Sequence, residues 1–171
     1  MKFLTLIRHA KSSRDTPVSD ELRPLNARGL QNAPAMGKYL DATFRFAPDV
    51  LISSPATRAI HTARLIAQGI GFNEWQIKED KRIYEAPVPA LIAVIRDQPD
   101  EFGHVCLVGH NPGMESLTNE LCGTRAVVDV VTCAVIMLEL DIPSWKATGE
   151  GTARLREYIY PALIGLGQEG D

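Results

Sequence analysis

Three short, nearly uninterrupted apolar runs divide the chain: Phe3-Leu4-Thr5-Leu6-Ile7, Asp49-Val50-Leu51-Ile52-Ser53 and Val105-Cys106-Leu107-Val108-Gly109. Runs of this length without polar alternation predict strands buried on both faces. Between them the spacing is helical. One helix is predicted from Asn26 as N-cap to about Leu40, with Leu25 and Leu30 at the two positions of a hydrophobic staple. A second is predicted to start at Ser54 as N-cap with Pro55 at N1, to place Ala59, Ala63, Ile66 and Ala67 on one face, and to end at Gly69 and Gly71. A third runs from about Pro89 to Asp97, and Asn111-Pro112 repeats the N-cap and proline device after the third strand. Ser12 to Pro24 is polar, holds two prolines, and suits a loop lying over the strand ends.

Weaker signals complete the pattern. Trp75 to Glu79 is a marginal strand, Val127 to Val131 and Ala134 to Leu140 are predicted strands near the sheet edge, and Ala153 to Ile159 alternates as an antiparallel edge strand does. The alternation of strand and helix predicts a three-layer α/β/α sandwich with a mainly parallel central sheet and antiparallel edge strands. The 171 residues are expected to form a single domain spanning 1–171, with 165–171 as a frayed tail.

Composition narrows the partners. With 18 basic and 21 acidic residues the net charge is −3, so no global positive field gathers nucleic acid or an acidic membrane surface. Cys106, Cys122 and Cys133 are odd in number and widely spaced, which argues against a disulfide framework or a structural zinc site and for small core residues in a reducing compartment. The apolar run at the N-terminus breaks at Arg8, too early for a signal-peptide core, and a cytoplasmic location is expected.

All three strong strands end in polar residues. The first ends in Arg8-His9, the second in Ser53-Ser54 with Arg58 close behind, the third in Gly109-His110. In a parallel sheet those tips share the edge where open α/β folds bind ligands. Two arginines, two histidines and the adjacent helix N-termini make that edge a site for an anion, and a phosphoryl group is the natural guest. Hydrolysing it needs a nucleophile or an activated water. No cysteine lies six positions before an arginine, no D-x-D follows a strand, and no cluster of carboxylates with histidines suggests a two-metal centre, so no metal or other cofactor is expected. Imidazole remains. A neutral His9, its other ring nitrogen held by a backbone carbonyl, can attack phosphorus in line while Arg8, Arg58 and His110 hold the equatorial charge.

The segments Arg8-His9-Ala10-Lys11-Ser12, Ser54-Pro55-Ala56-Thr57-Arg58-Ala59-Ile60-His61-Thr62-Ala63 and Val108-Gly109-His110-Asn111-Pro112-Gly113 resemble, in order, those of the histidine phosphatase superfamily, whose signature has Gly where this chain has Ala10. The short length and Pro24-Leu25-Asn26 with Gly29 make the chain most similar to the small SixA-type phosphohistidine phosphatases within the branch that has the phosphoglycerate mutase-like fold. That resemblance implies a metal-independent phosphatase in which His9 is the nucleophile, Arg8, Arg58 and His110 form the phosphate pocket, and Ser12 adds a hydroxyl. In the mutase branch a Glu in a loop after the second helix protonates the leaving group, and Glu85 stands at the matching place; the SixA-type pattern does not require it. The implied substrate is a protein phosphohistidine. A small-molecule phosphomonoesterase or mutase is the alternative, and a non-catalytic phosphate-binding module a more remote one. His61 and His104 read as exposed or internally satisfied histidines, and Lys11 as a cation at the pocket rim. Gly165-x-Gly167-x-x-Gly170 spells a dinucleotide fingerprint, but the chain ends before the helix it requires.

Overall fold

A computed structural model describes residues 1–166. Six strands form one sheet: β1 (Lys2–Arg8), β2 (Val50–Ser53), β3 (Lys78–Glu79), β4 (His104–Gly109), β5 (Val135–Leu140) and β6 (Ala153–Ile159). Their order is β3-β2-β4-β1-β5-β6, parallel from β3 to β1 and antiparallel through β5 and β6. The mainly parallel sheet with an antiparallel edge is therefore present. The weak strand at 75–79 shrinks to its last two residues, because Glu74–Gln76 form a 3-10 turn that leaves Trp75 88% exposed.

Because side chains alternate across a strand, each central strand feeds two cores. Leu4 and Leu6 of β1, Val50 and Ile52 of β2, and Val105 and Leu107 of β4 pack with α3 (Val88–Arg96) and α4 (Gly113–Cys122). Ile7, Leu51, Cys106 and Val108 pack on the other side with α1 (Ala27–Phe44) and α2 (Thr57–Ile70). That is the three-layer arrangement. Ala59, Ala63 and Ile66 are wholly buried and, with Gly37 and Gly69, let α1 and α2 cross closely: a Cβ on Gly69 would lie 2.7 Å from the Gly37 carbonyl carbon. Cys106 and Cys133 are fully buried, and burial pushes both thiols up, as core residues require.

Local chemistry moves several boundaries. Asn26 caps α1 by accepting from Gly29 N, but the helix continues a turn beyond Leu40 to Phe44, and Leu30 is exposed while Leu25 is buried. Helix α2 starts at Thr57 rather than after Ser54, because the Ser54 hydroxyl accepts from Ala56 N two residues on and Ala56 stays extended. After β4, Pro112 holds the N-cap position of α4. No strand forms over 127–131. There, side chains take the backbone groups that a sheet would need: Asn119 bonds both N–H and carbonyl of Val127, Glu115 accepts from Val130 N, and Tyr158 Oη accepts from Val131 N. Of the predicted frayed tail, Gly165 closes a 3-10 turn over Pro161–Ile164, and 167–171 lie outside the described residues. No described helix is long and apolar enough to cross a membrane.

Candidate active site

The carboxyl ends of β1, β2 and β4 lie side by side, with Arg8 paired to Gly109 and Ser53 to Val108. Chain direction alone thus delivers Arg8 and His9 from β1, Ser54 after β2, and His110 after β4 to one edge. Arg58, in the first turn of α2, arrives there from the layer above β2. They surround a cavity of about 150 Å³ lined by Arg8, His9, Ser12, Arg58 and His110, all expected at the site, together with Lys11 at its rim. Arg14, Arg23, Asn111 and Thr132 complete the wall, so five cationic side chains face this one small space.

His9 is 93% buried, and its Nδ1 lies 2.7 Å from the Ala10 carbonyl oxygen. A carbonyl only accepts, so Nδ1 carries the proton and Nε2 the lone pair. Burial, reinforced by His110, Arg58 and Arg8, lowers the His9 imidazole to about 3, and the ring is neutral. Its Nε2 accepts a long contact from Arg58 Nε at 3.4 Å. Ala10 itself is buried without strain, its N–H donating to the Thr62 hydroxyl, so the extra methyl relative to Gly is accommodated.

The Arg8 guanidinium is anchored at one end: Nη1 donates to the Val130 carbonyl at 2.8 Å, the same oxygen that Asn111 Nδ2 reaches. The irregular 127–131 segment therefore orients a site residue that a regular strand would leave free. Arg8 Nε and His110 Nδ1 are buried and have no hydrogen-bond partner among the described residues. An unsatisfied buried donor costs about 1–3 kcal/mol, which an acceptor-rich ligand would recover. His110 Nε2 lies 2.8 Å from the Ser54 hydroxyl, and burial together with Arg58 lowers its imidazole to about 4.

Asp20 had no signal in the sequence beyond lying in the polar loop. Its carboxylate accepts from Arg58 Nη2 (3.0 Å), Arg23 Nε (3.0 Å) and Tyr84 Oη (2.6 Å), and its carbonyl accepts from Arg58 Nη1 at 2.6 Å. The bond from Tyr84, with those from Arg23 and Arg58, holds this carboxyl well below the usual carboxylate range. Arg23 also donates to the Ser12 hydroxyl at 2.8 Å. One carboxylate thus braces two of the five cations.

Glu85 stands apart from this cavity. It lines a larger neighbour of about 470 Å³, exposed and with a left-handed backbone (φ 52°), beside Asp20, Tyr84, Leu91 and Met114. The two cavities share Arg58, His110 and Asn111. His61 is half-buried and His104 sits at the opposite end of β4, bonded to Thr5; neither lines the site.

A neutral, oriented imidazole among fixed cations suits nucleophilic attack on an electrophile with several anionic oxygens. The sequence profile of the histidine phosphatase superfamily (branch 1) matches residues 4–91. An uncharacterised protein of Mycobacterium tuberculosis (strain H37Rv) is 34% identical over 125 residues, 71% of this chain and 75% of that one. Among solved structures, a proposed phosphohistidine phosphatase SixA from Agrobacterium tumefaciens superposes with a TM-score of 0.78 at 26% identity, covering 94% of this chain and 98% of that one. The protein histidine phosphatase SixA complexed with tungstate gives 0.80 at 20% identity, covering 95% and 99%.

Proposed function

As the chain belongs to the histidine phosphatase superfamily (branch 1), we propose that it is a metal-independent, SixA-type phosphatase that hydrolyses protein phosphohistidine through a phosphoryl group held transiently on His9. The observation that carries this reading is the His9 ring: Nδ1 is tied to the Ala10 carbonyl, so the lone pair of Nε2 enters a cavity walled by five cations.

In the first step Nε2 attacks phosphorus, the new N–P bond forms, and the bond from phosphorus to the substrate nitrogen breaks with its electron pair going to the leaving imidazole. Arg8, Arg58 and His110 hold the equatorial oxygens, the Arg8 Nε and His110 Nδ1 atoms, without a hydrogen-bond partner among the described residues, being suited to that task. Ser12 and Arg23 supply further donors on the same wall. In the second step water attacks the phosphorylated His9, releasing phosphate and restoring the ring. The work is that of a single domain, in the cytoplasm, on a phosphate-bearing partner and without a cofactor.

A small-molecule phosphomonoesterase is favoured by one feature: the adjoining 470 Å³ cavity is of the size that holds small ligands. The two readings separate by rate. With a chelator present, a phosphohistidine protein is expected to turn over far faster than sugar or glycerate phosphates, and the reverse order would select the small-molecule reading. Tight phosphate binding without turnover of either would indicate a binding module.

A further inference from the structure

In-line displacement sends the leaving group away from His9. The His9 Nε2 lone pair is directed toward Arg58, and the phosphate cavity adjoins the 470 Å³ space, with which it shares Arg58, His110 and Asn111. That space does not include His9, and its charge pattern is the opposite of the one it adjoins. Among the described residues, the smaller cavity is lined by five cations and no carboxylate; the larger is lined by the carboxylates of Asp20 and Glu85, with Arg58 as its one cation, over an apolar floor that includes Ile83, Leu91 and Met114. Asp20 is shared between Arg58 and Arg23, each at 3.0 Å, while Glu85 has no cation among the described lining residues besides Arg58. The Asp20 side chain remains 51% exposed, so its oxygens are accessible to a further donor.

An anionic wall is unfavourable for an alcohol leaving as an alkoxide, since charge would build up beside like charge. A phosphorylated imidazole has the opposite requirement. With phosphorus on one ring nitrogen and a proton on the other, the ring is cationic, and when the P–N bond breaks its electron pair neutralises the ring. The leaving group departs as neutral imidazole without receiving a proton. A carboxylate accepting from the distal N–H stabilises the protonated ring, much as the Ala10 carbonyl holds the Nδ1–H of His9.

We propose, building on the phosphohistidine reading above, that Asp20, assisted by Glu85, is the specificity-determining residue: it receives the distal N–H of the substrate imidazole and makes the enzyme selective for a cationic nitrogen leaving group over an oxygen one. Tyr84 fixes the carboxylate for this purpose, its hydroxyl donating to Oδ2 at 2.6 Å from the loop that carries Glu85.

The test compares kcat/KM for phosphoimidazole and for phenyl phosphate in wild type, Asp20→Asn and Glu85→Gln. Loss of the brace on Arg58 weakens phosphoryl binding for both substrates alike, so the ratio isolates the leaving-group effect. Asp20→Asn is expected to lower the ratio of phosphoimidazole to phenyl phosphate by about tenfold, and Glu85→Gln to lower it by about threefold, the scale of one charge-assisted hydrogen bond and of one partly screened charge. Ratios unchanged in both variants, with wild type active on phosphoimidazole, would overturn the selectivity assignment and leave the phosphatase reading standing. Wild type inactive on both substrates would overturn the two together.

Discussion

The two ends of β4 each carry a half-buried histidine, and they are chemically unalike. His104 opens the strand, its Nε2 2.8 Å from the Thr5 hydroxyl and its ring edge-on to Phe46 at 5.0 Å. His110 follows the strand, near Arg58, with Nδ1 unpartnered among the described residues and its ring 5.2 Å from that of His9. Burial lowers both imidazoles to about 4. A depressed imidazole therefore identifies no site by itself. What separates the ends is the company that parallel strands deliver: one edge collects the residues following β1, β2 and β4, while at the other end His104 meets aromatic rings and a threonine.

The comparison can be broken at several points. His9→Ala should remove about 10⁴-fold or more of kcat, the scale seen when a covalent nucleophile is deleted; the same substitution at His104 should leave kcat/KM within about twofold of wild type. Arg58→Ala should cost about 10²–10³-fold in kcat/KM, as loss of one preorganised charge donor does, and steady-state kinetics would contradict the pocket assignment if the loss stayed below about fivefold. Tyr84→Phe removes only the hydroxyl bond to Asp20 and should reduce kcat/KM on phosphoimidazole by about fivefold.

Acid affects the two ends alike in stability but not in function. The folded values of about 3 for His9 and about 4 for His104 and His110 lie below the 6.5 of an unperturbed imidazole. Between those limits the unfolded chain takes up protons that the folded chain refuses, so unfolding free energy should fall as pH drops from about 6.5 toward 4. His104→Ala should flatten part of that slope in chemical denaturation, while costing about 2 kcal/mol at neutral pH through the cavity and the stranded Thr5 hydroxyl. The free-enzyme kcat/KM should show no acid limb near pH 6.5 from His9, which is neutral throughout that range.

Much of this could be read in the sequence because it depends on order and local spacing. The runs at Leu4–Ile7, Val50–Ile52 and Val105–Val108 are buried on both faces, although Phe3, expected to be buried with them, is 45% exposed, and Arg8, His9, Arg58 and His110 follow from where those runs stop. The His9 hydrogen bond to a backbone carbonyl was legible for the same reason, as its partner is the next residue. Glu85 matched by resemblance a residue that protonates the leaving group; it lines the adjoining cavity and not the one that holds His9. What escaped depends on contacts between distant loops. Asp20 meets Tyr84 across 64 residues, and nothing near either residue announces the bond. The segment Val127-Val128-Asp129-Val130-Val131 reads as a strand because four of its five residues are β-branched; the side chains of Asn119 and Glu115 that claim its backbone are invisible to periodicity. Ser54 carries a cap residue's identity, yet its hydroxyl serves Ala56 N and His110 instead of a helix start. Gly29 shows a constraint of the same kind: a Cβ there would lie 2.2 Å from the Lys11 carbonyl, so the helix start and the loop leaving His9 are pressed together.

The most direct measurement is rapid-quench trapping of labelled phosphoryl from a phosphohistidine protein, followed by peptide mapping. The account predicts a transient label on His9 that is stable to alkali, labile to acid, formed before phosphate release and missing in His9→Ala. Phosphate release at wild-type rate with no labelled His9 at any time would contradict it.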